Sequence, residues 1–253
     1  MDLRFEGKTA LVTGATRGIG LAIARRLLES GARGVAITGR KQERLDTASA
    51  ELAAGDRVLA LEGSSDDELH ANYACAKTVE SFGSLDILVN NAGTNPAYGN
   101  LTDVDLSAVD KVWSVNLRGP LLFVRAAWHT WMREHGGAIV NIASIGGYLP
   151  ERKLGAYNIS KAGLIMMTQQ LANETGPNVR VNAVAPGVVK TRLSRALYEE
   201  NEAGLAGALP LERLGVPEDI AALVAFLAHP ASSWMTGETV TTDGGAMLRG
   251  SMA

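Results

Sequence analysis

The stretch TALVTGATRGIGLAIARRLLESGARGVAITGR, residues 9–40, decides the fold. It holds two short β-rich runs, TALVT at 9–13 and GVAIT at 34–38, separated by enough chain for one helix. Between them Ile19, Ile23 and Leu27 recur every four residues, which makes one apolar helical face to pack on a sheet, and Gly31 supplies a stop. The turn joining strand to helix reads TGATRGIG, residues 13–20. Glycines there permit a tight turn and let backbone N–H groups approach a pyrophosphate, while the helix N-terminus adds partial positive charge. The spacing is G-x3-G-x-G in place of the commoner G-x-G-x-x-G, so its position between strand and helix carries the dinucleotide reading. Gly14, Thr16, Arg17, Gly18, Ile19 and Gly20 are the candidate cofactor contacts of this turn.

The same alternation continues along the chain. Further strand-like runs are VLALE (58–62), LDILVN (85–90), AIVNIA (138–143), VRVNAVA (179–185) and ETVTT (238–242), with helix-length segments between them. Most are nearly continuously apolar, the pattern of strands covered on both faces in a parallel sheet. Strand and helix in alternation predict a Rossmann-type, doubly wound α/β fold. No repeat or linker divides the 253 residues, which read as one domain, 1–253. The less regular stretch YEENEAGLAGALPLERLGVPED (198–219) reads as an insertion, centred on about 190–215. It is either a set of small helices covering a pocket or an ordinary surface excursion.

Bulk properties narrow the function classes. An apolar fraction of 46% with 20% charged residues supports a substantial core. The net charge of −3, without a long basic run, lacks the electrostatic footprint of a nucleic-acid binder, so a small-molecule partner is expected. Cys75 is the only cysteine, which rules out an internal disulfide or a CxxC site and fits a reducing cytoplasm. The charged start MDLRFEGKTALVTG does not read as a signal peptide, and no segment reaches the ~18 apolar residues of a membrane helix. His70, His129, His135 and His229 form no HExxH arrangement, and no catalytic metal is expected.

After the second strand the chain reads ITGRKQ. Gly39 occupies the place where an acidic residue would bind the two hydroxyls of an NAD ribose, and Arg40 and Lys41 follow. A guanidinium can bind a ribose 2′-phosphate with two parallel hydrogen bonds, and Arg17 can reach the same region, so NADP(H) is favoured, with NAD(H) as the alternative. The plain reading of Arg40 and Lys41 is the start of a solvated helix.

AYNISKAG, residues 156–163, puts Tyr157 and Lys161 four apart, hence on one helical face. A free tyrosine, with a pKa of about 10, is a poor base near neutrality, and an adjacent ammonium favours the phenolate. Such a pair alone is commonly an incidental surface contact. Upstream, Ser144 ends the apolar run of IVNIASIGG, where a turn serine is also ordinary. In open α/β sheets ligands bind beyond the carboxyl ends of strands, which would bring Ser144 and the Tyr157 helix together beside the glycine turn.

With these residues in place, the chain closely resembles the short-chain dehydrogenase/reductase family over nearly its whole length. The resemblance rests on TGATRGIG, NNAG at 90–93, WSVNLRG at 113–119, Ser144, YNISK at 157–161, NAVAPGVVKT at 182–191 and TGETVTTDGG at 236–245, all in family order. It implies a seven-stranded parallel sheet and a catalytic tetrad of Asn116, Ser144, Tyr157 and Lys161. Tyr157 would protonate the carbonyl oxygen during reduction, Ser144 would hydrogen-bond it, Lys161 would lower the tyrosine pKa and bind ribose hydroxyls, and Asn116 would hold a relay water. The resemblance adds Asn91, Ala92, Gly93, Pro186, Gly187, Val189 and Thr191 to the cofactor contacts. It also implies a homotetramer built partly on long helices near 105–132 and 157–173. One departure stands out: the family's Asp-hydrophobic pair after the third strand is replaced within EGSSDD by Gly63 and Ser64, so Ser64 would serve the adenine without an aspartate at its position. Within the family the chain resembles NADPH-dependent carbonyl reductases and 3-oxoacyl-thioester reductases. The alternatives are an NAD-dependent alcohol or sugar-derivative dehydrogenase and a nucleotide-binding scaffold without turnover.

Overall fold

A computed structural model describes residues 3–249. Its centre is one seven-stranded, wholly parallel sheet in the order β3-β2-β1-β4-β5-β6-β7, a Rossmann-type doubly wound arrangement. The strands are β1 (Thr9–Val12), β2 (Gly34–Gly39), β3 (Val58–Glu62), β4 (Ile87–Asn90), β5 (Gly137–Ile142), β6 (Val179–Pro186) and β7 (Thr239–Thr242). All seven apolar runs of the sequence are strands, with ends displaced by a residue or two where the hydrogen-bonded ladder starts or stops.

The continuous apolar runs are explained by what lies on each face. In β1, Ala10 and Val12 enter one core while Leu11 enters the other; Val35 and Ile37 part from Ala36 in the same way, as do Ile87 and Val89 from Leu88. The first face carries α1 (Gly18–Glu29), α2 (Gln42–Leu52) and α10 (Pro217–Ala228). The second carries α3 (Glu68–Phe82), α5 (Gly119–Ala127) and the far end of α7 (Gly155–Thr175). In α1, Ile23 and Leu27 are fully buried and Ile19 packs half-buried on the same core.

The long helix expected near 105–132 runs to His135 and is not uniform. It passes from α4 (Leu106–Trp113) through a π turn (Ser114–Arg118) into α5, then through a second π turn (Trp128–Met132) into α6 (Arg133–His135). Such bulges re-aim side chains and free backbone groups. Between β6 and α10 the irregular segment forms α8 (Arg195–Tyr198) and α9 (Glu202–Ala208), whereas Pro217–Asp219 already belongs to α10. Arg213 grips Asp219 through both its carboxylate oxygens, at 2.7 and 2.8 Å, and Asp219 accepts from the Val216 N–H, which fixes where the irregular segment ends.

Helix α10 backs the glycine-turn helix α1 and is held at its C-terminus by Arg180 on β6. The guanidinium donates to the carbonyls of Leu227 (3.0 Å), Ala228 (3.4 Å), His229 (3.3 Å), Ser232 (3.1 Å) and Met235 (3.4 Å). These are the orphan carbonyls of a helix end and the turn after it, where a cation is also favoured by the helix dipole. Replacing Arg180 with Met removes this shared charged donor, while the Leu227, His229, Ser232 and Met235 carbonyls keep bonds from Ser232, Met235 and Asn182; we expect a loss of about 2 kcal/mol, read from the denaturant midpoint of unfolding.

Candidate active site

The sheet order reverses between β1 and β4, so a crevice opens where their carboxyl ends diverge. Thr13 and Asn91 stitch its floor. The Thr13 hydroxyl accepts the N–H groups of Asn91 (3.0 Å) and Ala92 (3.1 Å), and the Asn91 amide donates to the carbonyls of Thr13 (2.8 Å) and Gly14 (3.1 Å). Gly14 and Gly18 both sit at positive φ, +63° and +56°, which side-chain-bearing residues adopt at a cost. A Cβ on Gly14 would also lie 2.8 Å from the Ala92 Cα, so the two segments meet only because the side chain is absent. Gly20 abuts the Asn91 side chain, and Thr191 leans over Gly18. Helix α1 starts at an extended Arg17 with no side-chain cap, which leaves its first N–H groups free for an anion. These features fit the diphosphate of a dinucleotide.

Basic charge gathers beside the crevice. Burial lowers the Arg17 pKa, and the nearby charges of Arg44, Arg192 and Arg40 lower it further. Among the described residues none of these four guanidiniums has an ion-pair partner. At Gly39 the place of a side chain is taken by the Thr16 methyl group, so an acidic residue there would require Thr16 to move. Arg44 and Arg192 escaped the sequence reading: one lies a helical turn beyond Arg40, the other about 150 residues away, and only folding joins them.

Ser64 does not stand free. Its hydroxyl donates to Asp66, which also accepts from Lys111 (2.7 Å) and Ser114 (3.1 Å). Burial alone would raise the Asp66 pKa, but the hydrogen bonds from Lys111, Ser64 and Ser114 outweigh it and hold the carboxyl at about 2. Gly63 is glycine because the His70 ring fills the space of its side chain.

The catalytic end forms where β5 runs into α7. After Ile142 the backbone turns through Ile145–Gly147, and the Ser144 Oγ accepts the Gly146 N–H at 3.1 Å. That bond occupies a lone pair of the oxygen and leaves the hydroxyl hydrogen to donate outward. A Cβ on Gly147 would lie 2.7 Å from Ile165 and 3.0 Å from the Lys161 carbonyl carbon, so this glycine lets the turn lie directly on α7. One turn of α7 then presents Tyr157 and Lys161. The Lys161 Nζ donates to the Ile142 carbonyl at 2.7 Å and lies 5.6 Å from the centre of the Tyr157 ring. Burial dominates both groups: it raises the Tyr157 pKa, with the Ser144 hydroxyl pulling down and the Glu151 charge pushing up, and it draws Lys161 down to about 8.

Asn116 lies wholly buried in the first π turn. Its side chain accepts the Thr94 N–H (2.8 Å) and donates to the Thr94 carbonyl (2.9 Å) and the Ser160 Oγ (3.2 Å). A Cβ on Gly93 would come within 3.7 Å of the Asn116 Oδ1 and 3.9 Å of the Lys161 Nζ, so Gly93, Asn116 and Lys161 face one small space. Pro186 ends β6 and Gly187 follows it, Val189 is buried and Thr191 bonds Ser194 at 2.9 Å as the chain enters the irregular segment. That segment contacts the serine turn: Leu209 and Leu214 pack on Ile145, with Tyr198 and Leu205 alongside.

Known proteins share this design. A family model described as enoyl-(acyl carrier protein) reductase matches residues 14–247. A Sus scrofa protein named dehydrogenase/reductase SDR family member 4 is 39% identical over 251 residues, spanning 96% of this chain and 88% of its own. Tropinone reductase-like 3 of Erythroxylum coca is 39% identical over 250 residues, spanning 97% and 95%. A crystal structure of a putative short-chain alcohol dehydrogenase from Sinorhizobium meliloti 1021 superposes with a TM-score of 0.91 at 36% identity, covering 98% of this chain and 99% of that one.

The Asp66 network carries a pH signature. Because the folded pKa lies below the ordinary 3.8, its stabilising contribution is complete above that value and is lost as pH falls toward about 2. Wild type should therefore exceed Asp66→Asn in stability at pH 6 and converge with it near pH 2, as measured by urea unfolding across that range.

Proposed function

This chain belongs to the short-chain dehydrogenase/reductase family of oxidoreductases acting on alcohol and carbonyl groups with a nicotinamide dinucleotide, and we propose that it reduces a ketone to a secondary alcohol with NADPH. The whole chain would act as one catalytic domain, with residues 190–215 covering the substrate. The observation that carries the reading is the meeting of Ser144, Tyr157 and Lys161 at the mouth of the β1/β4 crevice, with the serine hydroxyl in hydrogen-bonding reach of the phenol.

When bound, the nicotinamide supplies the hydride. The chain handles the oxygen and the proton. Ser144 donates a hydrogen bond to the carbonyl oxygen and polarises it. Tyr157 gives that oxygen a proton as carbon accepts hydride; its raised pKa keeps the phenol protonated at neutral pH, the state reduction requires. Lys161 is oriented by Ile142, stays largely charged below about pH 8 and can reach a ribose hydroxyl; the lowering of the tyrosine pKa expected of it from the sequence does not appear, because burial raises the phenol's pKa. Both amide hydrogens of Asn116 are spent on Thr94 and Ser160, so a relay water would rest on the Asn116 main-chain carbonyl in the π turn.

NADPH is preferred over NADH in this reading because four unpaired arginines face the adenosine end, and an extra phosphate gives them their counter-charge. A soluble homotetramer in the cytoplasm fits the same reading, with the faces of α4, α5 and α7 as the helical contact surfaces.

Replacing Tyr157 with Phe should lower kcat by roughly 10²–10⁴-fold with NADPH affinity retained, measured by steady-state turnover and by cofactor titration. Because the phenol must lose its proton before it can act as a base, alcohol oxidation should rise with pH above neutrality while ketone reduction falls; the same slope in both directions would contradict these roles. Arg40→Ala and Arg17→Ala should each cost about tenfold in NADPH affinity and leave NADH affinity nearly unchanged. Tighter binding of NADH by the wild-type protein would reverse the cofactor assignment.

A further inference from the structure

Glu151 lies in the short loop between the serine turn and α7, and no step of the chemistry above uses it. Its carboxylate is half-buried, yet among the described residues it has neither an ion-pair nor a hydrogen-bond partner. The basic neighbours in sequence point elsewhere: Arg152 and Lys153 are exposed, and the Lys153 ammonium sits 5.7 Å over the Tyr98 ring. An unpaired, partly desolvated carboxylate costs free energy, and burial accordingly raises its pKa.

Its position explains what that cost serves. A methyl group placed on Gly146 would be 3.3 Å from the Glu151 Oε2, and the Gly146 N–H is the one that orients Ser144. The charge of Glu151 also reaches the Tyr157 phenol. The same methyl position would meet the Oδ1 of Asn158, a residue only 7% exposed, whose Nδ2 donates to Leu149 while this oxygen has no hydrogen-bond partner among the described residues. Two acceptors thus converge on one side of the serine turn, with no donor to balance them among the described residues. The turn is backed by an apolar cluster in which Leu209 and Leu214 pack on Ile145.

The geometry points to Glu151 as a specificity-determining residue that selects ketones carrying a protonated amine on an otherwise apolar skeleton. The ammonium supplies the counter-charge that the protein withholds, and the carbonyl remains at Ser144 and Tyr157. This inference rests on the reductase reading and adds the substrate class to it.

The test compares N-methyl-4-piperidone, cationic at neutral pH, with its neutral carbocyclic analogue 4-methylcyclohexanone, using NADPH and reading the ratio of their kcat/KM values. The ratio cancels any effect of Glu151 on Tyr157 that both substrates share. Wild type should favour the cation, and Glu151→Gln should lower the ratio about tenfold, chiefly through KM for the amine. Glu151→Lys should lower it further, to below one. Equal ratios in wild type and Glu151→Gln, or a wild-type preference for the neutral ketone, would overturn the inference and leave the reductase reading standing. Failure of wild type to reduce either ketone or any other carbonyl, with normal NADPH binding, would overturn both.

Discussion

Everything in this molecule depends on how two neighbouring parallel strands are tied where they part. At the end of β1, the Thr13 hydroxyl takes two N–H groups from the start of the β4 loop, and the Asn91 amide returns two hydrogen bonds to the glycine turn. The same hydroxyl donates back to Val89, so its hydrogen-bonding capacity is filled. Parallel strands that diverge at a switch point would otherwise expose unpaired backbone at the deepest part of a cleft, and burying such groups is costly. With that backbone paired internally, the N–H groups of α1's first turn are left over, and they form the anion-binding face.

A second polar chain carries this register across to the catalytic helix. Asn90 donates to Asn141 at 2.9 Å, Asn141 donates to Thr168 at 2.9 Å, and Thr168 returns to the Leu164 carbonyl at 2.8 Å, linking β4, β5 and α7 through buried groups. Apolar side chains alone would let α7 slide or rotate on the sheet with little penalty; a row of directional bonds does not. Tyr157 and Lys161 stand on the turn of α7 next to this row, and Lys161 adds its own bond to the Ile142 carbonyl. The π turn at Ser114–Arg118 serves the same end from the other side, since it lets Asn116 bond Thr94 and Ser160 at once.

The architecture was legible in the sequence because its signals are local. Seven apolar runs, a glycine turn between strand and helix, and a tyrosine four residues before a lysine each depend on spacing that survives without the fold. Residues that act through space left no such trace. Arg192 joins Arg17, Arg40 and Arg44 only once the chain leaving β6 brings Thr191 back over Gly18, and Lys111 reaches the Ser64–Asp66 pair only when α4 packs there. The two π turns were invisible because nothing in SVNLR or WHTWM departs from ordinary helical composition. Glu151 was hidden for another reason: in YLPERKLG it reads as one more surface charge, and only the lack of a partner for its carboxylate among the described residues sets it apart.

The placement of charge shows where folding and function pull against each other. A stable fold would pair Arg17 with an acid, leave Lys161 in solvent and spare Glu151 its desolvation. Here the arginines repel one another, Lys161 is buried without a carboxylate beside it, and Glu151 is half-buried alone. Unpaired charge is tolerated where something outside the chain completes it, and Lys161 and Glu151 both lie close to Tyr157 while the arginines gather at the glycine turn. Their sign changes once along the row: positive at the arginine cluster, positive again at Lys161, negative at Glu151. A ligand set matching that sequence carries phosphates at one end and a cation at the other, so the phosphate-bearing cofactor and an amine-bearing ketone would each relieve a different strain in the empty protein. In the proposed reaction the two would meet at Tyr157, whose burial favours the protonated phenol.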